Sequence, residues 1–100
     1  MTETIVKNKY TISFTKGFKK QMKKLKKQGK NLTKLYDVVE MLSNGICLEE
    51  KYRDHGLEND KYYKNCRECH IESDWLLIYQ FHEDKITLLF VATGSHSELF

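Results

Sequence analysis

The sequence predicts an α+β fold in a single domain over residues 1–100, with elements in the order β-α-α-β-β-β. Two patterns predict it. Residues 14–42 carry two apolar stripes at helical spacing, separated by a glycine break, and residues 65–92 carry three short strand-like segments separated by polar turns. A helical pair and a sheet, each apolar on one side, must cover one another. Size is the third observation: 100 residues, 40% of them hydrophobic, are enough for one core and too few for two.

Tyr10, Ile12 and Phe14 alternate with Lys9, Thr11 and Ser13, the period-2 pattern of a strand with one buried face, beginning near Ile5. Thr15 offers an N-cap, after which Phe14, Phe18, Met22 and Leu25 recur at helical spacing while lysines fill the opposite face. Gln28-Gly29-Lys30 breaks this helix and Asn31 caps a second, whose stripe is Leu32, Leu35, Tyr36, Val39 and Leu42. Asn44-Gly45 ends it. Residues 46–63 read mainly as a polar loop with turn residues at Gly56 and Asn59-Asp60. Asn65 to Ile71 is a strand, Glu72-Ser73-Asp74 a tight turn, and Trp75 to Phe81 a nearly continuous apolar run suited to a central strand. His82-Glu83-Asp84-Lys85 turns into a last strand, Ile86 to Ala92; Thr93-Gly94-Ser95 breaks it before a short tail, His96 to Phe100.

The net charge of +3 hides a separation. Met1 to Tyr36 holds eleven lysines against one acid, whereas Asp37 to Phe100 holds six basic residues against thirteen acids. Nine lysines lie between Lys16 and Lys34, among them Lys19, Lys20, Lys23, Lys24, Lys26 and Lys27. Such a block attracts a polyanion through counterion release without reading its sequence, so nucleic acid is the first partner to consider, against the plainer reading of a solvated helix face. No apolar run is long enough to span a membrane and Met1-Thr2-Glu3-Thr4 does not open a signal segment, so a cytoplasmic protein is expected. Three cysteines in such a chain are expected to be reduced.

Cys66-Arg67-Glu68-Cys69-His70 matches the C-x-x-C-H haem-attachment pattern. Two cysteines three apart on a strand point to opposite faces, however, and only Cys47 remains to complete a zinc site, so neither haem nor metal is expected. His55, His70 and His96 lie in a connector, near a strand end and beyond the last strand, places that one edge of a sheet would bring together. Histidines so placed suit RNA cleavage, which needs a base for the 2′-OH, an acid for the leaving 5′-oxygen and a cation for the phosphorane. His82, in a turn, reads as an ordinary surface residue. Trp75 reads as core packing that also borders a base-stacking site beside Asp74, and Phe100 as a plug or a nucleotide support beside His96.

Three segments carry a family likeness: Arg53-Asp54-His55-Gly56-Leu57, then Arg67 to Tyr79, then Thr93-Gly94-Ser95-His96-Ser97-Glu98-Leu99-Phe100. With the patterns D-H-x-L, C-H-[IL]-x-x-D-[WL]-L-L-[IV]-Y and T-G-[ST]-H-[SA]-x-L-F in order, the chain resembles a YafQ-type toxin of the RelE superfamily. The resemblance implies a helical hairpin packed on a mainly antiparallel twisted sheet. It implies a metal-free, cofactor-free endoribonuclease that cuts translated mRNA in the ribosomal A site of a bacterial cytoplasm. A cognate antitoxin of the DinJ/RelB kind would hold it inactive in a hetero-oligomer. The functional positions then fall on His55, His70, Asp74, Trp75, His96 and Phe100, with His96 as general acid, His55 or Asp74 as base, and His70 orienting substrate. Family members often carry an arginine where this chain has Ala92, so either Arg53, Arg67 or a lysine of the first helix supplies the phosphorane's countercharge or the toxin is catalytically weakened. The alternative is a non-cleaving module of the same fold that docks on the ribosome or another target.

Overall fold

A computed structural model describes residues 9–58 and 60–100; the strand start expected near Ile5 and the Asn59 half of the expected turn lie outside them. Strand β1 (Thr11–Phe14) leads into helix α1 (Lys16–Lys27), where the Thr15 side chain accepts from the Phe18 amide at 3.0 Å and so caps the helix as expected. Helix α2 (Leu32–Ser43) is capped in turn by Asn31, which accepts from the Thr33 amide. It ends at Asn44, with Gly45 beyond it at φ 75°, a left-handed conformation that costs glycine nothing.

The strands form one five-stranded sheet in the order β1-β5-β4-β3-β2, where β2 is His55–Gly56, β3 Arg67–Glu72, β4 Trp75–His82 and β5 Thr87–Gly94. Only β1 and β5 pair in parallel; the others are antiparallel, so the sheet is mixed but mainly antiparallel. Three short elements depart from the expected order. The connector read as loop contains a 3₁₀ turn (Glu50–Tyr52) and the two-residue β2, which borrows the otherwise open edge of β3. The tail forms a single helical turn, α3 (His96–Leu99), where Ser95 and Glu98 build a capping box. β3 starts two residues later than expected because Asn65 is left-handed at φ 61°.

Both faces of the sheet are covered. Phe18 and Leu25 of α1 and Leu35, Val38, Val39 and Leu42 of α2 pack on Cys69, Trp75, Leu77, Tyr79, Leu88 and Phe90. Each such side chain contributes about 1.5–3 kcal/mol by leaving water. The other face has a smaller cluster, Cys66, Leu76, Ile78, Ala92 and Leu99, covered by α3 and by Leu57 and Tyr63. That double cover is why β4 reads as an unbroken apolar run. Among the described residues no helix is long and apolar enough to cross a membrane.

Candidate active site

Strand alternation determines which side chains meet. β3 turns Arg67 and Cys69 toward the helices, opposite Tyr79 and Leu77, and turns Glu68 and His70 toward the smaller cluster, opposite Ile78 and Leu76. A bulge between His70 and Glu72 then changes phase, so Glu72 faces the helices and accepts ion pairs from Lys34 at 2.7 Å and Lys30 at 3.5 Å. The same alternation separates the cysteines: Cys66 lies in one core cluster and Cys69 in the other. Burial pushes both thiols up, away from the thiolate that metal or haem chemistry requires.

Glu68, only 6% exposed, is the hub of the site. Its Oε1 lies 3.5 Å from His55 Nε2 and 3.6 Å from His70 Nε2, because β2 pairs His55 directly with Glu68 and His70 follows two residues along the same face. Each ring is oriented from behind. His55 Nδ1 donates to the Arg53 carbonyl at 2.7 Å and His70 Nδ1 to the Ser73 carbonyl at 3.3 Å, since a carbonyl only accepts. Both Nε2 atoms therefore turn to the Glu68 carboxyl.

The contacts continue through the turn after β3. Asp74, next to Ser73, accepts the His96 backbone N–H on Oδ1 at 3.0 Å, which seats the first residue of α3. The exposed His96 ring stacks on Phe100, centroids 5.0 Å apart at 26°, and Tyr63 supports that pair from the side. The Tyr63 hydroxyl donates to the Leu99 carbonyl at 3.0 Å, and its ring meets Phe100 edge-on at 5.3 Å. His55, Glu68 and His70 are thus linked through the Ser73 carbonyl and the chain to Asp74, and from there to His96 and Phe100, in one path from β2 to α3.

Three candidates stand apart from that path. Trp75 is 1% exposed, packed among the helices with Nε1 donating to Thr93 Oγ1 at 3.0 Å, so it has no open face on which a base could stack; its role is in the core. Arg67 points to the helical face, where its Nε holds Asp54 Oδ1 at 3.2 Å and Tyr79 donates to the same oxygen. Ala92 is buried in the smaller cluster beside Ile78 and Leu99. Arg53 lies nearer the path: with Lys34, Lys51 and Tyr52 it lines a groove of ≈ 520 Å³ whose wall includes His70. Lys19, Lys20, Lys23, Lys26 and Lys27 are exposed on α1, and Lys24 pairs with Glu98 at 2.7 Å. His82 ends β4, outside these contacts.

Sequence reading missed Glu68 and Tyr63. A carboxylate two residues before a strand histidine shares its face, and that spacing was the available signal for Glu68. No comparable signal marks Tyr63. Among the described residues no three His, Cys, Asp or Glu side chains converge as a metal-holding group; His55 and His70 meet Glu68 through one oxygen of the carboxylate.

The same arrangement of sheet and helices occurs in known proteins. The chain is 37% identical over 90 residues to the mRNA interferase toxin YafQ of Escherichia coli strain B / BL21-DE3, covering 89% of this chain and 94% of that one. A metal-bound toxin from Helicobacter pylori superposes with a TM-score of 0.83 at 45% identity, over 91% of this chain and 99% of the other. The E. coli DinJ–YafQ toxin–antitoxin complex gives a TM-score of 0.82 at 32% identity, over 92% and 98%. Residues 10–100 match the family model described as the bacterial toxin of type II toxin–antitoxin systems, YafQ, and with the whole described sheet inside that match, the chain belongs to the YafQ toxin family.

Proposed function

We propose that the chain is the toxin of a bacterial type II toxin–antitoxin pair and acts as an endoribonuclease on mRNA. It works with its own histidines and carboxylates and without a metal. The observation that carries this reading is the path His55–Glu68–His70–Ser73, continued along the chain to Asp74 and from there to His96 and Phe100, which links two imidazoles on one carboxyl to a third imidazole and an aromatic ring. The relative's activity as an mRNA interferase supports the substrate.

RNA cleavage by the 2′-OH moves two protons, one from the attacking hydroxyl and one to the departing 5′-oxygen. His55 is the base: its Nδ1 proton is committed to the Arg53 carbonyl, so Nε2, beside the Glu68 carboxyl, is the atom that takes the 2′-OH proton. His96 is the acid, its exposed imidazole held flat on Phe100. Asp74 is then a positioning residue, because its Oδ1 is spent on the His96 amide. Arg53, on the groove that His70 lines, supplies the charge that the phosphorane needs in place of an arginine at Ala92, and His70 orients substrate. The exposed lysines of α1 give a sequence-independent footing on ribosomal RNA. The E. coli DinJ–YafQ complex supports a cognate antitoxin as partner, and the basic surface of α1 suits an acidic antitoxin segment in a hetero-oligomer.

The test is cleavage of mRNA by purified protein, stripped of bound metal and exchanged into EDTA-free buffer, with and without translating ribosomes. Cleavage only on ribosomes, by metal-stripped protein, that falls roughly a hundredfold to ten-thousandfold in His96→Ala is the expected result. Ribosome co-sedimentation by a folded chain that cuts nothing would replace the nuclease with a docking module.

A further inference from the structure

Helix α3 carries the proposed acid, yet its four residues make a single turn, too short to hold itself in water. Its attachments therefore decide where His96 sits. Asp74 holds the His96 amide on one side, and Leu99 is buried in the smaller core behind it. The third attachment is Glu98, whose two oxygens do different work. Oε1 accepts the Ser95 amide at 2.8 Å and closes the capping box, and Oε2 takes the Lys24 ammonium of α1 at 2.7 Å. Gly94 leaves the room for this: a Cβ there would stand 3.1 Å from Oε1. One turn earlier on the same face of α1, Gln21 Oε1 accepts the Thr93 amide at 2.8 Å, so α1 grips the end of β5 and the start of α3 together.

We propose, on the nuclease reading above, that Lys24 and Glu98 are positioning residues: their ion pair fastens the His96 turn to α1 and sets the place of the His96 imidazole. Lys24 then differs from the other lysines of the helix. Its ammonium faces the protein's own carboxylate, where Lys19, Lys20, Lys23, Lys26 and Lys27 make no ion pair among the described residues. The pair is open to solvent, with side-chain exposures of 61% and 33%, and a pair of that kind adds little to global stability. Its contribution is to geometry, where a displacement of about 1 Å costs up to about a hundredfold in rate.

The experiment compares Lys24→Met, Glu98→Gln, the double variant and Lys24→Arg by steady-state cleavage and by NMR of the histidine rings. Glu98→Gln keeps an oxygen for the Ser95 amide and removes only the charge. Each single variant is expected to lower kcat about tenfold with KM nearly unchanged, the double variant to fall no further, and Lys24→Arg to recover most of the rate. The His96 ring signals should shift in both single variants and return in Lys24→Arg, while those of His55 stay in place. The NMR arm stands if the chain cuts no RNA, so loss of the nuclease reading and loss of this one are distinguishable. Unmoved His96 signals in both single variants would overturn the proposal. So would a raised KM with unchanged kcat in Lys24→Met alone, which would make Lys24 an RNA contact instead.

Discussion

Arg53 and Arg67 are both basic residues near the histidines in sequence, and the fold gives them different tasks. Arg67 is fixed to Asp54 on the helical face, whereas Arg53 lines the groove that reaches His70. Arg53→Gln is therefore expected to lower cleavage about a hundredfold, the scale of one lost charge-stabilising contact, with little change in melting temperature. Arg67→Gln should do the reverse: it leaves the partly exposed Asp54 with Tyr79 alone and lowers stability by up to about 1 kcal/mol while the rate at saturating substrate stays near wild type. Equal rate losses in the two variants, measured on folded protein, would remove that distinction. His55, His70, Asp74 and His96 were legible as candidates because few side chains do proton transfer near neutrality and the motifs bring them in order. Glu68 was not, since an acid in a sequence with fourteen of them gives no sign of being buried, and its importance depends on a two-residue strand placing His55 opposite it. Trp75 was half legible. Its place in a core strand was clear, but only the packing of α1 and α2 over it shows that no face is left for a base.

Elements with many repeats of their period were legible, and elements with fewer were not. Both long helices and their Thr15 and Asn31 caps follow from the stripe and the cap residues, and β4 follows from an apolar run that the two covered faces demand. β2 has two residues and α3 four, so neither shows a period, and each exists because a neighbour pairs with it or holds it. The β4–β5 connection was read as a turn and has a cost that the sequence does not announce. After the 3₁₀ turn Glu83–Lys85, Ile86 adopts φ 48°, a left-handed conformation that a β-branched residue resists by about 1–2 kcal/mol. Its side chain is 56% exposed, so replacing it forfeits little packing. Ile86→Asn is expected to raise the unfolding free energy by about 1 kcal/mol in urea titration, because Asn tolerates this conformation. Ile86→Val, which keeps the branch, should leave it unchanged, and a loss of stability in the Asn variant would show that the side chain packs better than its exposure suggests.

Over the whole molecule, the charge separation in the sequence becomes a set of bridges between layers. The lysine-rich helical pair lies on a sheet whose functional end presents Glu72 and Glu98, and Lys30, Lys34 and Lys24 reach across to them. Both bridges flank the turn and the helix that hold Asp74 and His96, so the basic helices both offer a surface to a polyanion and brace the site. The carboxyls record this. Lys24, then the Ser95 amide and hydroxyl, hold Glu98 down from 4.5 to about 2, and Lys34, with Lys30, lowers Glu72. A carboxyl that is more acidic in the folded chain is proton-free there while the unfolded chain has begun to bind protons, so stability falls as pH falls through that interval. The bridges' contribution is complete above about pH 4.5 and is lost toward pH 2 as Glu98 protonates. Both groups are largely open to water, so the effect is modest and shrinks in high salt. Melting temperature followed from pH 6 to pH 2 should decline less steeply below pH 4.5 in a Glu72→Gln/Glu98→Gln variant than in wild type, and the two curves should converge at the acid end. Parallel curves throughout would mean that the layers are held by their apolar contacts alone and that the lysines serve only what binds from outside.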